Sequence, residues 1–368
     1  MKANVSDLRE VLELLQPVVP KKHSIPVMST VLVNNGRVVG TDAETMVVIE
    51  APNLEGRYLL PYREALDQLK SIPGYETIDI TPTGEGIDIT WTSGSVHLNL
   101  EPNPDDFPPI TDLKEPTEGK LNGDQLVAAM KEAIRYATTE ETRPVLTGVS
   151  LLLGEQVVVA GADGFRMYYH PLPESFPAEL TAIVPAKAVT VLSHLWTKAP
   201  PGPDNGDDIV SKVIARRALR LGVMDSKAKF SFGDVHVITT LVGGTPPNFG
   251  QLIPKKVKTS IKVYASDLER AVQKVRKIFK SAHGRIALTW TESQLTVAAT
   301  EEDVGTVRDE IPVEASEPGQ AFINSLYLSS YLKGKSNLVT IGVNSATEPL
   351  VFHDKPGPTV LIMPMMGN

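Results

Sequence analysis

GADGFRM, Gly161 to Met167, is the stretch on which the fold is read. A strand-forming run, Val157–Ala160, precedes it and a second apolar segment follows, so it reads as a hairpin turn with Gly on both sides of an Asp. Two other turns fill the same slot, GTDAE (Gly40–Glu44) and ATEED (Ala299–Asp303). The acid that opens the preceding helix lies 35 residues before the turn acid in the first copy (Asp7 to Asp42), 39 in the second (Asp124 to Asp163) and 34 in the third (Asp267 to Glu301). A second helix then starts 19, 22 and 23 residues further on, at Pro61, Pro185 and Asn324. Three copies of helix, strands, acidic turn, helix and strands therefore make up the chain.

In the first copy Ser6-Asp7-Leu8 is expected to cap a helix with Leu8, Val11, Leu12 and Leu15 on one face. Strands follow at Val31–Val33, Val38–Gly40 and Met46–Ile49, then a helix carrying Ala65, Leu66 and Leu69, then strands at Ile78–Ile80, Ile87–Trp91 and Val96–Leu100. Glu101–Gly119, rich in Pro and Asp, reads as a linker. The second copy runs from Gly123 through Val149–Leu153, Val157–Ala160, a helix from Pro185 to Trp196, an insertion at Ala199–Asp208, and strands near Ile214, at Ala228–Phe232 and at Val235–Val242. Gly244–Lys256 is a Pro-rich connection, and Ala265-Ser266-Asp267-Leu268 opens the third copy. Its strands are expected at Ile286–Trp290, Leu295–Ala299, Val339–Val343, Leu350–His353 and Val360–Met363. Two helices per copy cannot cover both faces of a sheet. The reading is α+β, with both helices on one face of antiparallel strands.

The end of the chain is unusual. VLIMPMMGN, Val360 to Asn368, stays apolar almost to its last residue and carries three methionines. Chain ends are loose and polar unless tied down, so this one is expected to be buried or to line an adaptable apolar surface.

Composition excludes several classes. The 368 residues, 42% hydrophobic and 22% charged, suit a soluble globular chain of two or three domains. No apolar run is long enough for a membrane span, and MKANVSDLREVLELL lacks a signal-peptide pattern, which makes a cytoplasmic location the expectation. With no cysteine there is neither a disulfide nor a thiolate site. The phosphate loop GxxxxGK[ST], the dinucleotide motif GxGxxG after a strand, HExxH and GxSxG are all missing. The seven histidines never pair at i,i+4, so no zinc site is expected. Asp42, Asp163 and Glu301 recur once per copy at a turn, where acids hold backbone amides, so they are read as structural. The expectation is a protein that is not an enzyme, with no cofactor and no metal.

At this point the residues carry a resemblance. IPVMSTVLV (Ile25–Val33), DDFPPI (Asp105–Ile110), TRPVLTGV (Thr142–Val149), GADGFRM and VLIMPM (Val360–Met365) resemble, in order and over the whole chain, the bacterial sliding clamps, the β subunits of DNA polymerase III. The resemblance implies three repeated clamp domains (1–117, 118–254 and 255–368) closing as a head-to-tail homodimeric ring, helices inside and sheets outside. Duplex DNA would thread it without sequence preference. The DNA polymerase III catalytic subunit, the clamp loader and other clamp-motif proteins would dock on it.

The resemblance also implies three sets of residues. The partner-peptide pocket falls on Arg143, Leu146, Ala162, Gly164, Phe165, Arg166, Met167, Pro247, Gln251, Leu252, Asn324, Tyr327, Pro349, Leu361, Ile362, Met363, Pro364 and Met365. Within it Met167, Leu252, Leu361 and Met363 are expected to form one apolar groove. Phe165 and Ala162 stand where the family often has His and Thr, Gln251 stands where Arg is common, and Met366-Gly367-Asn368 replaces a basic and apolar ending. The dimer contact falls on Ile278 and Phe279, which would be wasted on a monomer, facing Val96, His97 and Leu98 of the other copy. The DNA-facing candidates are Lys22, Arg63, Lys70, Lys131, Arg135, Lys187, Lys198, Arg270, Lys274 and Lys277.

A formal charge of −8 speaks against a nucleic-acid partner unless charge is segregated. The expected helices 5–16, 62–72, 122–138, 185–199, 265–281 and 324–335 carry −2, 0, 0, +2, +3 and +2, in all +5, which leaves −13 for the rest. That suits helices facing DNA, although Lys and Arg are also common on helix surfaces. Two further readings stay open on sequence: a clamp-like scaffold that no longer encircles DNA, and a β-rich hydrolase acting through scattered carboxylates.

Overall fold

The computed structural model describes residues 1–100, 103–198, 218–279, 284–353 and 357–366. The insertion at Ala199–Asp208, the strand expected near Ile214, His283 and the last two residues lie outside these. Among the described residues one order of elements occurs three times. The first copy is β1 (Lys2–Asn4), α1 (Val5–Leu14), β2 (Thr30–Asn34), β3 (Arg37–Thr41), β4 (Thr45–Glu50), β5 (Arg57–Pro61), α2 (Tyr62–Ser71), β6 (Thr77–Pro82), β7 (Gly86–Trp91) and β8 (Gly94–Asn99). The second is β9 (Thr117–Asn122), α3 (Gly123–Ala133), β10 (Gly148–Leu153), β11 (Val158–Ala162), β12 (Arg166–Pro171), β13 (Leu180–Pro185), α4 (Ala186–Lys198), β14 (Ala218–Met224), β15 (Lys227–Phe232) and β16 (Val235–Thr240). After the short helix α5 (Phe249–Leu252), the third begins with β17 (Thr259–Tyr264), α6 (Ala265–Arg276), β18 (Arg285–Trp290), β19 (Gln294–Glu301) and β20 (Gly305–Pro312). It continues with β21 (Glu314–Ala315), β22 (Gly319–Asn324), α7 (Ser325–Leu332), β23 (Leu338–Val343), β24 (Leu350–His353) and β25 (Thr359–Ile362).

By contacts the chain divides into two compact units. The first comprises Met1–Lys131, Gly148–Val157 and Leu172–Gly244. It holds a sheet ordered β1-β6-β7-β8 and a second ordered β5-β2-β3-β4-β16-β15-β14-β9. Helix α1 packs on α2 and α4. The second unit comprises Glu132–Thr147, Val158–Pro171 and Thr245–Asn368, and it holds β11-β12-β25-β24-β23-β17-β21 and β20-β19-β18-β22, with α6 packed on α7. Among the described residues the strand pairings within both are antiparallel.

Local chemistry explains the elements. Helix α2 starts where Pro61 sets the chain, and it buries Tyr62, Ala65, Leu66 and Leu69, an i, i+3, i+4, i+7 stripe. Burial, with Glu13 nearby, pushes the Tyr62 phenol up to about 12, and its hydroxyl donates to the Leu12 carbonyl at 3.2 Å. In β19 Leu295, Val297 and Ala299 are buried and their neighbours are not, the period of a half-covered strand. Across the larger sheet of the first unit Val27, Leu32, Val39, Met46, Val48, Leu59 and Ile238 form a core roofed by Phe107, Ile110 and Leu113. The Pro- and Asp-rich connection is therefore a strap over apolar surface from Phe107 to Leu113, and its end is already strand β9.

Three expectations about local structure change. Asn4, not Ser6, caps α1, because its side chain accepts from the Ser6 amide at 2.9 Å while the Ser6 hydroxyl donates to that same oxygen. The second-copy helix stops being α-helical at Ala133 and tightens to a 3₁₀ turn over Ile134–Tyr136. Strands β5 and β13 are among those not expected, since each ends on a Pro and runs without a turn into the helix that follows.

Candidate partner-docking site and ring edges

The two stretches that drew attention in the sequence are strand neighbours. Strands β12 and β25 pair with Arg166 opposite Ile362 and Met167 opposite Leu361. Beyond the ladder the Met363 amide donates to the Phe165 carbonyl at 2.8 Å. The tail then crosses to β22, where the Met365 amide donates to the Phe322 carbonyl at 2.8 Å and Arg285 holds the Met366 carbonyl at 2.7 Å. The apolar chain end is thus fixed on both sides by backbone hydrogen bonds.

The GADGFRM turn is built by its acid. The Asp163 carboxylate accepts from the Phe165 and Arg166 amides at 2.9 Å each, and its other oxygen accepts from Arg166 Nε at 2.9 Å. Gly164 sits at φ +92°, a conformation that disfavours any side chain. Gly161 has no room for a Cβ, which would lie 2.4 Å from the Ala133 carbonyl oxygen. Held this way, Arg166 donates to the Arg135 carbonyl at 2.7 Å and lies between two rings, 5.1 Å from Tyr136 and 4.6 Å from Tyr327. Burial, and secondly Asp163, push the Tyr327 phenol up, while Arg166 opposes them. In the first copy Asp42 accepts the Glu44 and Thr45 amides at 3.1 and 2.7 Å in the same manner. Glu301 differs: it ends β19, and only its backbone carbonyl serves the turn, accepting from Val304 at 3.0 Å.

The remaining pocket candidates distribute around this centre. Arg143 pairs with Glu140 and donates to the Asp163 carbonyl at 3.1 Å, and Leu146 lies half-buried in the following 3₁₀ turn. Asn324 caps α7 through the Leu326 amide at 2.9 Å. Pro349 is half-buried just before β24, and Pro364 and Met365 are half-buried in the tail. Pro247, Gln251 and Leu252 are exposed on or before α5, which the buried Phe249 anchors. Ala162 and Ile362 are buried.

The apolar groove expected from Met167, Leu252, Leu361 and Met363 needs correcting. Met167 and Leu361 are only 3% and 5% exposed, because they face each other across β12 and β25 and point into the core. The exposed apolar side chains here are Phe165 at 55%, Leu252 at 51% and Met363 at 40%. Phe165 and Met363 thus leave large apolar side chains in water on a tightly tied turn and tail, and Leu252 does so at the end of α5.

The ring-contact candidates also divide. Ile278 is 9% exposed and belongs to the core of its own chain, so it is not wasted on a monomer; that expectation is corrected. Phe279 is half-buried against Gly284 and borders a cavity of roughly 280 Å³ with Ala287, Ala298, Thr300 and Phe322. Val96, His97 and Leu98 lie on β8, an outermost strand of its sheet, and His97 Nδ1 is 2.6 Å from Asp88. Strand β20 is likewise outermost in its sheet.

Of the basic candidates, Lys22, Lys70, Lys131, Lys198 and Lys277 are exposed. Arg63 is exposed and 4.0 Å from Asp67, and Arg270 pairs with Asp267 at 2.8 Å. Lys274 pairs with Asp309 at 2.9 Å and Lys187 with Asp42 at 2.5 Å. Arg135 is half-buried and spent on Glu132 and on Ser330, whose carbonyl it reaches at 2.7 Å. The Lys187–Asp42 pair had no signal in the sequence, because a turn of one copy meets a helix of the next. Among the described residues no group of three or more His, Asp or Glu is arranged to hold a metal, and no helix is long and apolar enough to cross a membrane.

Comparison with known proteins agrees with this architecture. Residues 120–248 match the family model of the DNA polymerase III beta subunit, central domain. The beta sliding clamp of Staphylococcus epidermidis is 23% identical over 385 aligned residues, covering 98% of this chain and 96% of the relative. The sliding clamp of Bartonella birtlesii superimposes with a TM-score of 0.88 at 22% identity, over 100% of this chain and 99% of that one. The DNA polymerase III beta subunit of Thermotoga maritima gives a TM-score of 0.85 at 18% identity, with 100% and 99% covered. The chain is thus similar over nearly its full length to bacterial beta sliding clamps, and its residues 120–248 match the central domain of the DNA polymerase III beta subunit.

Proposed function

We infer that this chain is a sliding clamp, a processivity factor that encircles duplex DNA and tethers the replicative polymerase and other replication and repair proteins. The observation that carries the inference is the agreement of the fold over the full length of both chains, with a beta-subunit central domain at 120–248. The protein performs no catalysis in this role and acts in the cytoplasm, where the chromosome is copied.

The ring follows from the repeat. Inside the chain two junctions join successive copies: β4 pairs with β16, and β12 pairs with β25. In each, the third strand after a copy's first helix meets the last strand of the next copy. Strands β20 and β8 hold the corresponding positions and are outermost in their sheets. Pairing β20 of one copy with β8 of another repeats the junction, and doing so twice closes a head-to-tail dimer of domains 1–117, 118–254 and 255–368. Phe279 and the strand Val96–Leu98 then lie at the contact.

Retention on DNA comes from closure, while exposed cations such as Lys70, Lys131, Lys198 and Lys277 supply sequence-independent phosphate contacts. Short partner peptides dock at Phe165, Leu252 and Met363, beside Tyr327 and Arg166. Sedimentation of the purified protein tests the reading. A dimer near twice 39.9 kDa supports it, and a monomer at all concentrations overturns it.

A further inference from the structure

The internal junctions share a side-chain contact as well as a strand pairing. At the first, the turn acid Asp42, with a side chain only 6% exposed, receives Lys187 Nζ at 2.5 Å. Lys187 is the second residue of α4, the helix that follows Pro185 and leads to β14, β15 and β16. At the second, the turn acid Asp163 holds Arg166 at 2.9 Å, and that guanidinium lies 4.6 Å from the ring of Tyr327, the third residue of α7, which leads to β23, β24 and β25. A turn acid of one copy thus faces the first turn of the second helix in the next.

Among the described residues the acid of the third copy, Glu301, makes no ion pair, and the corresponding base of the first copy, Arg63, makes only a long one. Glu301 ends β19 in register with the buried Leu295, Val297 and Ala299. Asp42 likewise lies in register with Gly40, whose Cβ position touches Leu15, Val18 and Val19 behind α1. Both acids therefore sit on the helix-covered side of their sheets. Arg63 is the second residue of α2, after Pro61, as Lys187 is the second residue of α4, after Pro185. Its side chain is 66% exposed, and the only ion pair it makes among the described residues is the 4.0 Å contact with Asp67.

Resting on the ring reading above, we propose that Arg63 is an interface residue that pairs with Glu301 of the partner subunit, reproducing the Lys187–Asp42 contact. The occupant of the Arg63 site is a second copy of this chain, because the strand junction that would bring them together is the one the chain already uses twice. Removed from water at a strand junction, the pair gains strength over an exposed one and fixes the register of β8 against β20.

Dimer dissociation constants measured by sedimentation at low salt test the pairing. Arg63→Glu and Glu301→Arg are each expected to weaken the dimer about tenfold or more. The double variant Arg63→Glu/Glu301→Arg is expected to recover most of that loss. Arg63 is exposed and Glu301 half-buried in the chain, so circular dichroism spectra of the variants should match wild type, which separates dissociation from misfolding. A wild-type dimer whose single variants dimerise normally, or whose double variant is as weak as the singles, overturns the pairing and leaves the ring reading standing. A wild-type monomer overturns both.

Discussion

Phe165 and Met363 are joined by a backbone hydrogen bond of 2.8 Å and hold their side chains 55% and 40% exposed. A turn in the second copy and the tail of the third thereby form one rigid apolar platform. Because the tail is already hydrogen-bonded to Phe322 and Arg285, a peptide docking there would require little ordering of the chain itself.

A short peptide carrying Gln, followed a few residues on by Leu and Phe, is expected to bind this platform at about micromolar affinity, since ordering a free peptide opposes a small contact. Removing residues 364–368 is expected to abolish binding, because Met365 and Met366 fix the tail, and to leave the dimer intact. Titration calorimetry on full-length and truncated protein reads the difference; equal binding would place the docking site elsewhere.

Phe279 and Ile278 are adjacent and should behave differently. Ile278→Ala deletes buried core and is expected to cost about 2–5 kcal/mol in chemical denaturation. Phe279→Ala is expected to leave the melt near wild type and to lower dimer mass on dilution. Loss of stability in Phe279→Ala, with an unchanged dimer, would return Phe279 to the monomer's core.

Ala43 occupies the turn position that Gly164 fills in the second copy, at φ +80° against +92°. A Cβ is strained there, so Ala43→Gly is expected to stabilise the protein by about 1 kcal/mol despite the greater chain entropy of Gly. Urea denaturation of the two proteins is the check, and a destabilised variant would contradict the strain.

His236 lies beside Lys229, Glu50, Arg37 and Asp112 under the Phe107–Leu113 strap, and Ser231 is 3.0 Å from its Nδ1. Burial first, then Lys229 and Arg37, push its pKa below the usual 6.5, while Glu50 and Asp112 oppose them. The folded state therefore prefers the neutral ring. Its contribution is complete above the unfolded value of 6.5 and is lost as pH falls from there towards the lowered folded value. His170 and His194 are lowered in the same direction, the first by burial and the second by burial and Lys198. Stability is expected to fall between about pH 7 and 5, and less steeply in His236→Gln than in wild type. Parallel pH profiles would remove His236 from the account.

The repeat was legible because hydrophobic period, helix-opening acids and turn acids recur at nearly constant offsets. The meeting of GADGFRM with VLIMPM was legible only through resemblance, since strand partners so far apart in the chain leave no local pattern. Burial was the least legible property. Met167, Leu361 and Ile278 look like surface or contact residues in the sequence, yet each is covered by strands and helices from distant positions. Lys187 read as a cation for DNA because its partner Asp42 belongs to another copy.

A closed ring of two such chains would hold DNA by topology. The direct measurement is co-elution of the protein with nicked circular plasmid after loading, before and after one restriction cut. The account predicts that protein stays with the circle through a salt wash and is released when the plasmid is made linear. Protein that stays equally on circular and linear DNA, or leaves both in salt, would contradict it.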